Sequence, residues 1–420
     1  MIKVESLQGK VDWGIFGALV ILAPFFLFPS VEMTWVFIFV PLMWAMRWLV
    51  EKRFFERTIL DWGILVLLGQ VFVTCNIVPD IGFSLAKISG VVFGIALFYA
   101  VVNLVGTEGL IKKAVVLYMA GGVVFAGLAF LGMRSFEGWK AYEEKQLEFL
   151  MDLRRLLPRI DFNFSGAEIG FNPNPVGGSL VLLLPLFIVF LYLYKKRYGG
   201  GGVKNKLIFY LLVFGLIFEL GVLLFTVSRG SWVALLSSSF ILLYPIVKKK
   251  KIFVIIAVCV LLACVVFYII LIGPEDIKLS GEEIGGKIVN RNELWAVGIN
   301  MIVKHPFTGA GLNRLRKDSE IGDTRAHAHN HLIHTAAELG VPGLVAYMAI
   351  LIGAGYMCVK VWKKAQDDWM RMAVFGLGWG QVAHLIFGIG DSVPLGSRPG
   401  ILFWVSVGMI AAIYNIYKKA

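Results

Sequence analysis

The chain has 420 residues, 58% of them hydrophobic, and a formal charge of +12. Soluble domains hold about 45–50% apolar residues, so this composition excludes an ordinary soluble enzyme and defines an integral membrane protein. In a soluble chain the charge would suggest nucleic acid. Here the basic residues fall mostly in short segments between apolar runs, where membrane topology accounts for them and no nucleic-acid partner is implied.

Apolar runs of about 20 residues recur along the whole length, each long enough to cross a bilayer as a helix. Spanning backbone must satisfy its own hydrogen bonds, and these runs lack strand-like alternation, so helices are expected and not a barrel. The fold expected is all-α and polytopic, one transmembrane domain over residues 1–420 with about 12 spans. Their limits fall near 13–29, 33–50, 59–78, 84–105, 111–133, 176–194, 205–227, 229–247, 252–273, 341–361, 369–390 and 399–417. The first run starts at Trp13, is membrane-length and lacks a small-residue cleavage site, so it reads as a span and not as a leader. Lys52, Arg53 and Arg57, then Lys112 and Lys113, Lys195 to Arg197, Lys248 to Lys251, Lys360 to Lys364 and finally Lys418 and Lys419 all fall on one side of that layout. That side is expected to be the cytoplasm, with both termini on it. Two long loops lie opposite, 134–175 and 274–340, and both are expected to contain amphipathic helices at the outer surface. Cys75, Cys259, Cys264 and Cys358 all sit in apolar runs without metal-like spacing and read as packing residues.

Chemistry concentrates in the second half. Asn172-Pro173-Asn174-Pro175 reads as the start of the sixth span. Glu219 on the seventh span, and Gln381, His384 and Asp391 on or near the eleventh, are ionisable or polar groups at membrane depth, which are functional candidates by default; Glu219 alternatively pairs with a neighbouring cation. Ser228-Arg229-Gly230-Ser231-Trp232 stands at the outer end of the eighth span. A guanidinium fork beside the free N–H groups of a helix start is a good seat for phosphate; the plainer reading is interfacial snorkelling. Arg291 opens an expected amphipathic helix on which Leu294, Trp295, Gly298, Ile299 and Ile302 share a face, ended by His305-Pro306, with Gly309-Ala310-Gly311 as a tight turn beyond. Four of the six histidines lie in Arg325-Ala326-His327-Ala328-His329-Asn330-His331-Leu332-Ile333-His334. If that stretch is helical, His327 and His331 share a face, followed by His334 and Glu338. Such a set could hold zinc, but His-Glu-x-x-His is absent and no cysteine is near. One histidine as a general base, with the others in structural roles, is the favoured reading.

These pieces resemble the O-antigen ligase and polymerase superfamily of membrane glycosyltransferases. The likeness rests on His329-Asn330 followed after nine residues by Gly340-Val341-Pro342-Gly343-Leu344, and on Ser228-Arg229-Gly230-Ser231-Trp232. It rests also on Arg291 with Trp295, on His305-Pro306 before Gly309-x-Gly311, and on Phe171-Asn172-Pro173-Asn174. The resemblance implies an inverting, metal-independent enzyme of GT-C type without a cofactor, working on the periplasmic face of a bacterial inner membrane. Its donor would be a glycan on undecaprenyl diphosphate and its acceptor the lipid A core. Arg229 and Arg291 would hold the diphosphate and His329 would activate the acceptor hydroxyl. Asn330, Arg325, Asn174, Arg154 and Arg155 are the further candidates for substrate contact. The nearest rival is the O-antigen polymerase, favoured by the basic Arg154, Arg155 and Arg159 of the first long loop. A zinc hydrolase using His327, His331 and His334, and a lipid or polysaccharide transporter exploiting Glu219, are the alternatives from other classes.

Overall fold

The computed structural model describes residues 2–133, 171–198, 202–243, 251–252, 255, 259, 282–284, 287–289, 291–317 and 328–419. Twelve α-helices run through them: α1 Ile2–Leu27, α2 Phe39–Glu51, α3 Asp61–Ile77, α4 Ile81–Leu104, α5 Glu108–Gly132, α6 Pro173–Tyr198, α7 Val203–Phe225, α8 Arg229–Ser238, α9 Arg291–Lys304, α10 His331–Lys364, α11 Asp368–Gly390 and α12 Gly400–Lys419. A short antiparallel hairpin, β1 Glu282–Ile284 with β2 Lys287–Val289, precedes α9. The molecule is an all-α polytopic membrane protein but for this hairpin. Among the described residues nine helices are long and apolar enough to cross a bilayer, and α3 is a shorter apolar helix of 17 residues. Ten of the expected spans thus coincide with helices. The eighth begins as the ten-residue α8, tightening into a 3-10 turn at Ser239–Leu243; its remainder and most of the ninth lie outside the described residues.

Short polar side chains start these helices. Asp80, Thr107, Asn330 and Asp367 each accept from backbone N–H groups in the first turn of α4, α5, α10 and α11, a contribution of about 1 kcal/mol apiece. Asn172 accepts from the Asn174 N–H at 3.0 Å, with Pro173 as the first helical residue, so Asn-Pro-Asn is the expected helix-start turn. α4 and α6 are surrounded by other helices, while α1, α2 and α7 turn most of their apolar surface outward, towards the bilayer. The α1–α2 pair is joined by a buried ion pair, Arg47 Nε to Asp12 Oδ1 at 2.9 Å, with Glu51 on the same guanidinium at 2.6 Å.

Contacts between distant segments tie the helices together at both ends of the bundle. On the basic face Lys112 Nζ meets Asp367 Oδ2 at 2.7 Å, the Tyr417 hydroxyl donates to Glu108 at 2.8 Å, and Asn415 donates to the Arg57 carbonyl at 3.1 Å. On the opposite face Ser84 donates to the Leu312 carbonyl at 2.7 Å and Arg398 to the Leu27 carbonyl at 3.0 Å. There the chain also closes a small bridge: Met133 pairs with Phe171, whose N–H donates to the Gly132 carbonyl at 2.7 Å. Both ends of segment 134–170 are therefore held together at the top of α5.

Several expectations need correction. The tenth span does not start at 341: α10 runs from His331, and the histidine stretch enters it through a kink at Gly340. Of the helical set expected there, His331, His334 and Glu338 do lie on α10, whereas His327 lies outside the described residues; His329 precedes the helix. The face buried by α9 is Leu294, Gly298 and Met301, whereas Ile299 is 50% exposed and joins Val303 and Phe307 in an outward apolar stripe. Glu219 is fully buried, and neither carboxylate oxygen has a hydrogen-bond partner. The alternative of a cation beside it finds no support among the described residues.

Candidate functional site

The polar site forms where helix ends from distant parts of the chain meet. α7 ends in a strained turn. Val227 has φ 52°, unusual for a β-branched residue, and the Ser228 N–H bonds to Thr226 Oγ1 at 3.2 Å. Ser228 then precedes the first turn of α8, and Arg229 is its first residue, half-buried. The rest of the Ser-Arg-Gly-Ser-Trp motif is structural. Ser231 Oγ donates to Ser228 Oγ at 2.9 Å, and Trp232 Nε1 donates back to the Leu223 carbonyl at 3.1 Å, pinning α8 on α7.

α6 begins beside this turn. A side chain at Gly177 would lie 2.3 Å from Ser231 Oγ, and one at Gly178 would lie 2.3 Å from the Phe387 ring on α11. Only hydrogens fit in both places, so the two glycines let α6, α8 and α11 close on one point. Phe387 lies one turn before the end of α11, where its carbonyl accepts from the Asp391 N–H at 3.0 Å. Asp391 Oδ1 in turn accepts from the Ser392 N–H at 2.7 Å and lies 3.3 Å from His329 Nδ1. Both side chains of this pair are less than a tenth exposed. His329 holds φ 45°, and Asn330 explains why. Its Oδ1 accepts from the Leu332 and Ile333 N–H groups, each at 3.0 Å, and its Nδ2 donates to the Ile389 carbonyl at 3.1 Å. Both ends of the Asn330 amide are thereby occupied, which lifts His329 off the helix and turns it to the end of α11.

The Gly-Val-Pro-Gly motif fixes the other side of α10. Gly340 sits at φ 71°, ψ 176°, a region essentially confined to glycine. The kink opens the helix and exposes backbone groups to the turn after α9. The Ala310 N–H donates to the Ala337 carbonyl at 2.9 Å, Gly311 N–H to the Glu338 carbonyl at 3.0 Å, and Val341 N–H to the Pro306 carbonyl at 2.7 Å. The His-Pro-x-x-Gly-x-Gly and Gly-x-x-Gly motifs are thus two halves of one joint. α9 and α10 run parallel through it: Gly298 faces Ile333, and Pro306 faces Val341. Carried back along α9, this register sets Arg291 at the same end as His329. The side chain of Arg291 is outside the described residues, as are Arg325, Arg154 and Arg155.

The remaining polar groups are engaged elsewhere. His331 Nδ1 lies 3.4 Å from Ser392 Oγ, and its ring packs edge-on to Tyr347. His334 Nε2 is 3.2 Å from Glu338, and His384 Nδ1 is 3.1 Å from the Gly178 carbonyl. Among the described residues no three histidine, cysteine or acidic side chains gather to metal-binding distance.

In this polytopic membrane protein the polar site therefore lies at one end of the bundle, where helix N-termini converge on a histidine–aspartate pair. Residues 214–348, which hold α8, α9, the joint and His329, match the family model described as O-antigen ligase. The match spans 135 of the 420 residues, and over this stretch the chain is similar to the O-antigen ligase family. No curated relative matches the chain significantly.

Of the site residues expected from sequence, the structure brings the start of α8 with Arg229, the His329-Asn330 pair and the start of α6 with Asn174 to one end of the bundle. Asp391 was visible beforehand only as an ionisable group at a span end. Its partnership with His329 left no sequence signal, because the two lie far apart along the chain.

Proposed function

We propose that this protein is an O-antigen ligase: it transfers a glycan from undecaprenyl diphosphate to a sugar hydroxyl of the lipid A core, on the periplasmic face of the bacterial inner membrane. The observation that carries this reading is the His329–Asp391 pair at the meeting point of three helix N-termini. Asp391 at Nδ1 keeps the imidazole proton there and leaves the lone pair of Nε2 to act as base. In the reaction the acceptor hydroxyl gives its proton to Nε2 while its oxygen attacks the anomeric carbon. The bond from that carbon to the diphosphate oxygen breaks, inverting the centre and releasing undecaprenyl diphosphate. Arg229, Arg291 and the positive ends of α6, α8 and α10 meet the charge that accumulates on the leaving diphosphate. The step asks for no metal ion or cofactor. Asn330 serves by placing His329, and Asn174 lies at the helix start nearest Arg229; Arg325, Arg154 and Arg155 remain proposed substrate contacts.

The deciding experiment incubates purified protein with lipid-linked glycan, with and without lipid A core. Product only with the core establishes the ligase. Longer lipid-linked chains without it establish the polymerase instead, and no transfer in either arm removes both. His329→Ala and Arg229→Ala should each abolish transfer while leaving folded protein, and His331→Ala should cost less.

A further inference from the structure

A second polar cavity lies on the same face, between the outer end of α3 and the turn that follows α9. Its volume is about 390 Å³, at the small end of the roughly 300–1,000 Å³ typical of ligand clefts. Its lining combines the apolar Ile77, Pro79 and Met301 with Lys304, His305 and Arg314. No carboxylate lines it among the described residues. The walls are fixed by bonds to three helices. Asn313 donates to the Phe83 carbonyl at 2.8 Å and Ser84 to the Leu312 carbonyl at 2.7 Å, which ties the turn to α4. Ala310 and Gly311 bond to the Ala337 and Glu338 carbonyls of α10. The cavity is therefore preformed, and it abuts the helix that His329 introduces. From His331, the first residue of α10, to Glu338 is on the order of 10 Å along the helix.

Aliphatic side chains and two cations in one lining supply the chemistry that recognises a charged sugar: the ring's C–H face packs on apolar groups and an anionic substituent meets the ammonium and guanidinium groups. We propose that this cavity binds a sugar carrying a phosphate or carboxylate, and that this sugar belongs to the acceptor. The word acceptor rests on the transferase reading above; the binding of an anionic sugar does not.

The test measures binding of glucose 1-phosphate, glucuronate, glucose and inorganic phosphate to the full-length protein in nanodiscs, by calorimetry. Wild type should bind one of the two anionic sugars at least about tenfold more tightly than glucose and than inorganic phosphate. Lys304→Gln with Arg314→Gln should remove that preference, and Lys304→Arg with Arg314→Lys should retain it. His329→Ala should bind the anionic sugar as wild type does, which separates this site from the transfer step. Equal binding of glucose and both anionic sugars overturns the proposal. So does inorganic phosphate binding as tightly as the sugars, or a folded Gln/Gln variant that binds like wild type. Any of these results leaves the transferase reading standing, since that reading is judged by turnover alone.

Discussion

Replacing Asp391 by Asn isolates one charge. The carboxylate's contacts to the Ser392 N–H and to His329 Nδ1 both use the same oxygen, Oδ1. The amide oxygen of Asn can keep these two, so the substitution chiefly removes the negative charge beside the imidazole. Two unit charges about 4 Å apart interact by about 4 kcal/mol at an effective dielectric of about 20, a suitable value for a pair so little exposed. In the transition state His329 carries between half and all of a positive charge, so the loss is about 2–4 kcal/mol. At about 1.4 kcal/mol per decade this lowers kcat by about 30- to 1,000-fold. KM for the lipid-linked donor should move by less than about threefold, because the donor does not touch Asp391 in the proposed step. Initial rates of glycan transfer by the purified variant supply both constants, and its unfolding midpoint confirms that the fold is kept. An Asp391→Asn enzyme within about threefold of wild-type kcat, or one whose entire loss sits in KM, refutes the base assignment.

Gly340→Ala should unsettle the joint between α9 and α10. An added Cβ would lie 2.7 Å from the Phe307 carbonyl oxygen and 2.9 Å from the Gly309 nitrogen, on a backbone that only glycine adopts easily. A destabilisation of at least about 1–3 kcal/mol is expected, seen as a lower unfolding midpoint together with reduced transfer. Asp12→Ala removes one of two buried carboxylates from the Arg47 guanidinium and leaves Glu51 at 2.6 Å, so it should cost less than the about 3–5 kcal/mol of a fully broken buried pair, whereas Arg47→Met strips both carboxylates of their partner and should cost more; thermal unfolding of both variants checks the order. Asp367 offers a test by pH. Burial pushes its carboxyl up, but Lys112 and the Trp369 N–H outweigh this and hold it below the usual carboxylate range. A depressed pKa contributes stability above the unfolded value, near pH 4, and loses it as pH falls through the folded one. Lys112 is 42% exposed, so the contribution is at most about 1 kcal/mol. Asp367→Asn should therefore lower the unfolding midpoint slightly at pH 7 and leave it unchanged near pH 2.

The layout of the bundle was legible because span length and hydrophobicity are properties of contiguous sequence. α9 was legible for the same reason: its apolar spacing and the His305-Pro306 stop match Arg291–Lys304. What periodicity could not reveal was the choice made by Asn330. A short amide among histidines suits a helix interior poorly and a cap well, and only the Ile389 carbonyl, supplied by α11, decides the matter. The joint was hidden in a similar way. Gly309-Ala310-Gly311 could be read as a turn and Gly340 to Gly343 as a motif, but that each exists to receive the other is a long-range fact. Glu219 stood out as an intramembrane carboxyl, yet nothing local announced that no described group would hydrogen-bond to it.

The clasp between Met133 and Phe171 has a consequence for how such a protein diversifies. Because Met133 and Phe171 are paired, the described chain leaves and re-enters the bundle at one spot. Doubling the length of a flexible connection between two such fixed points costs only about 0.6 kcal/mol of closure entropy. A lineage can therefore lengthen or shorten the sequence between these two residues while the helices that carry them keep their places.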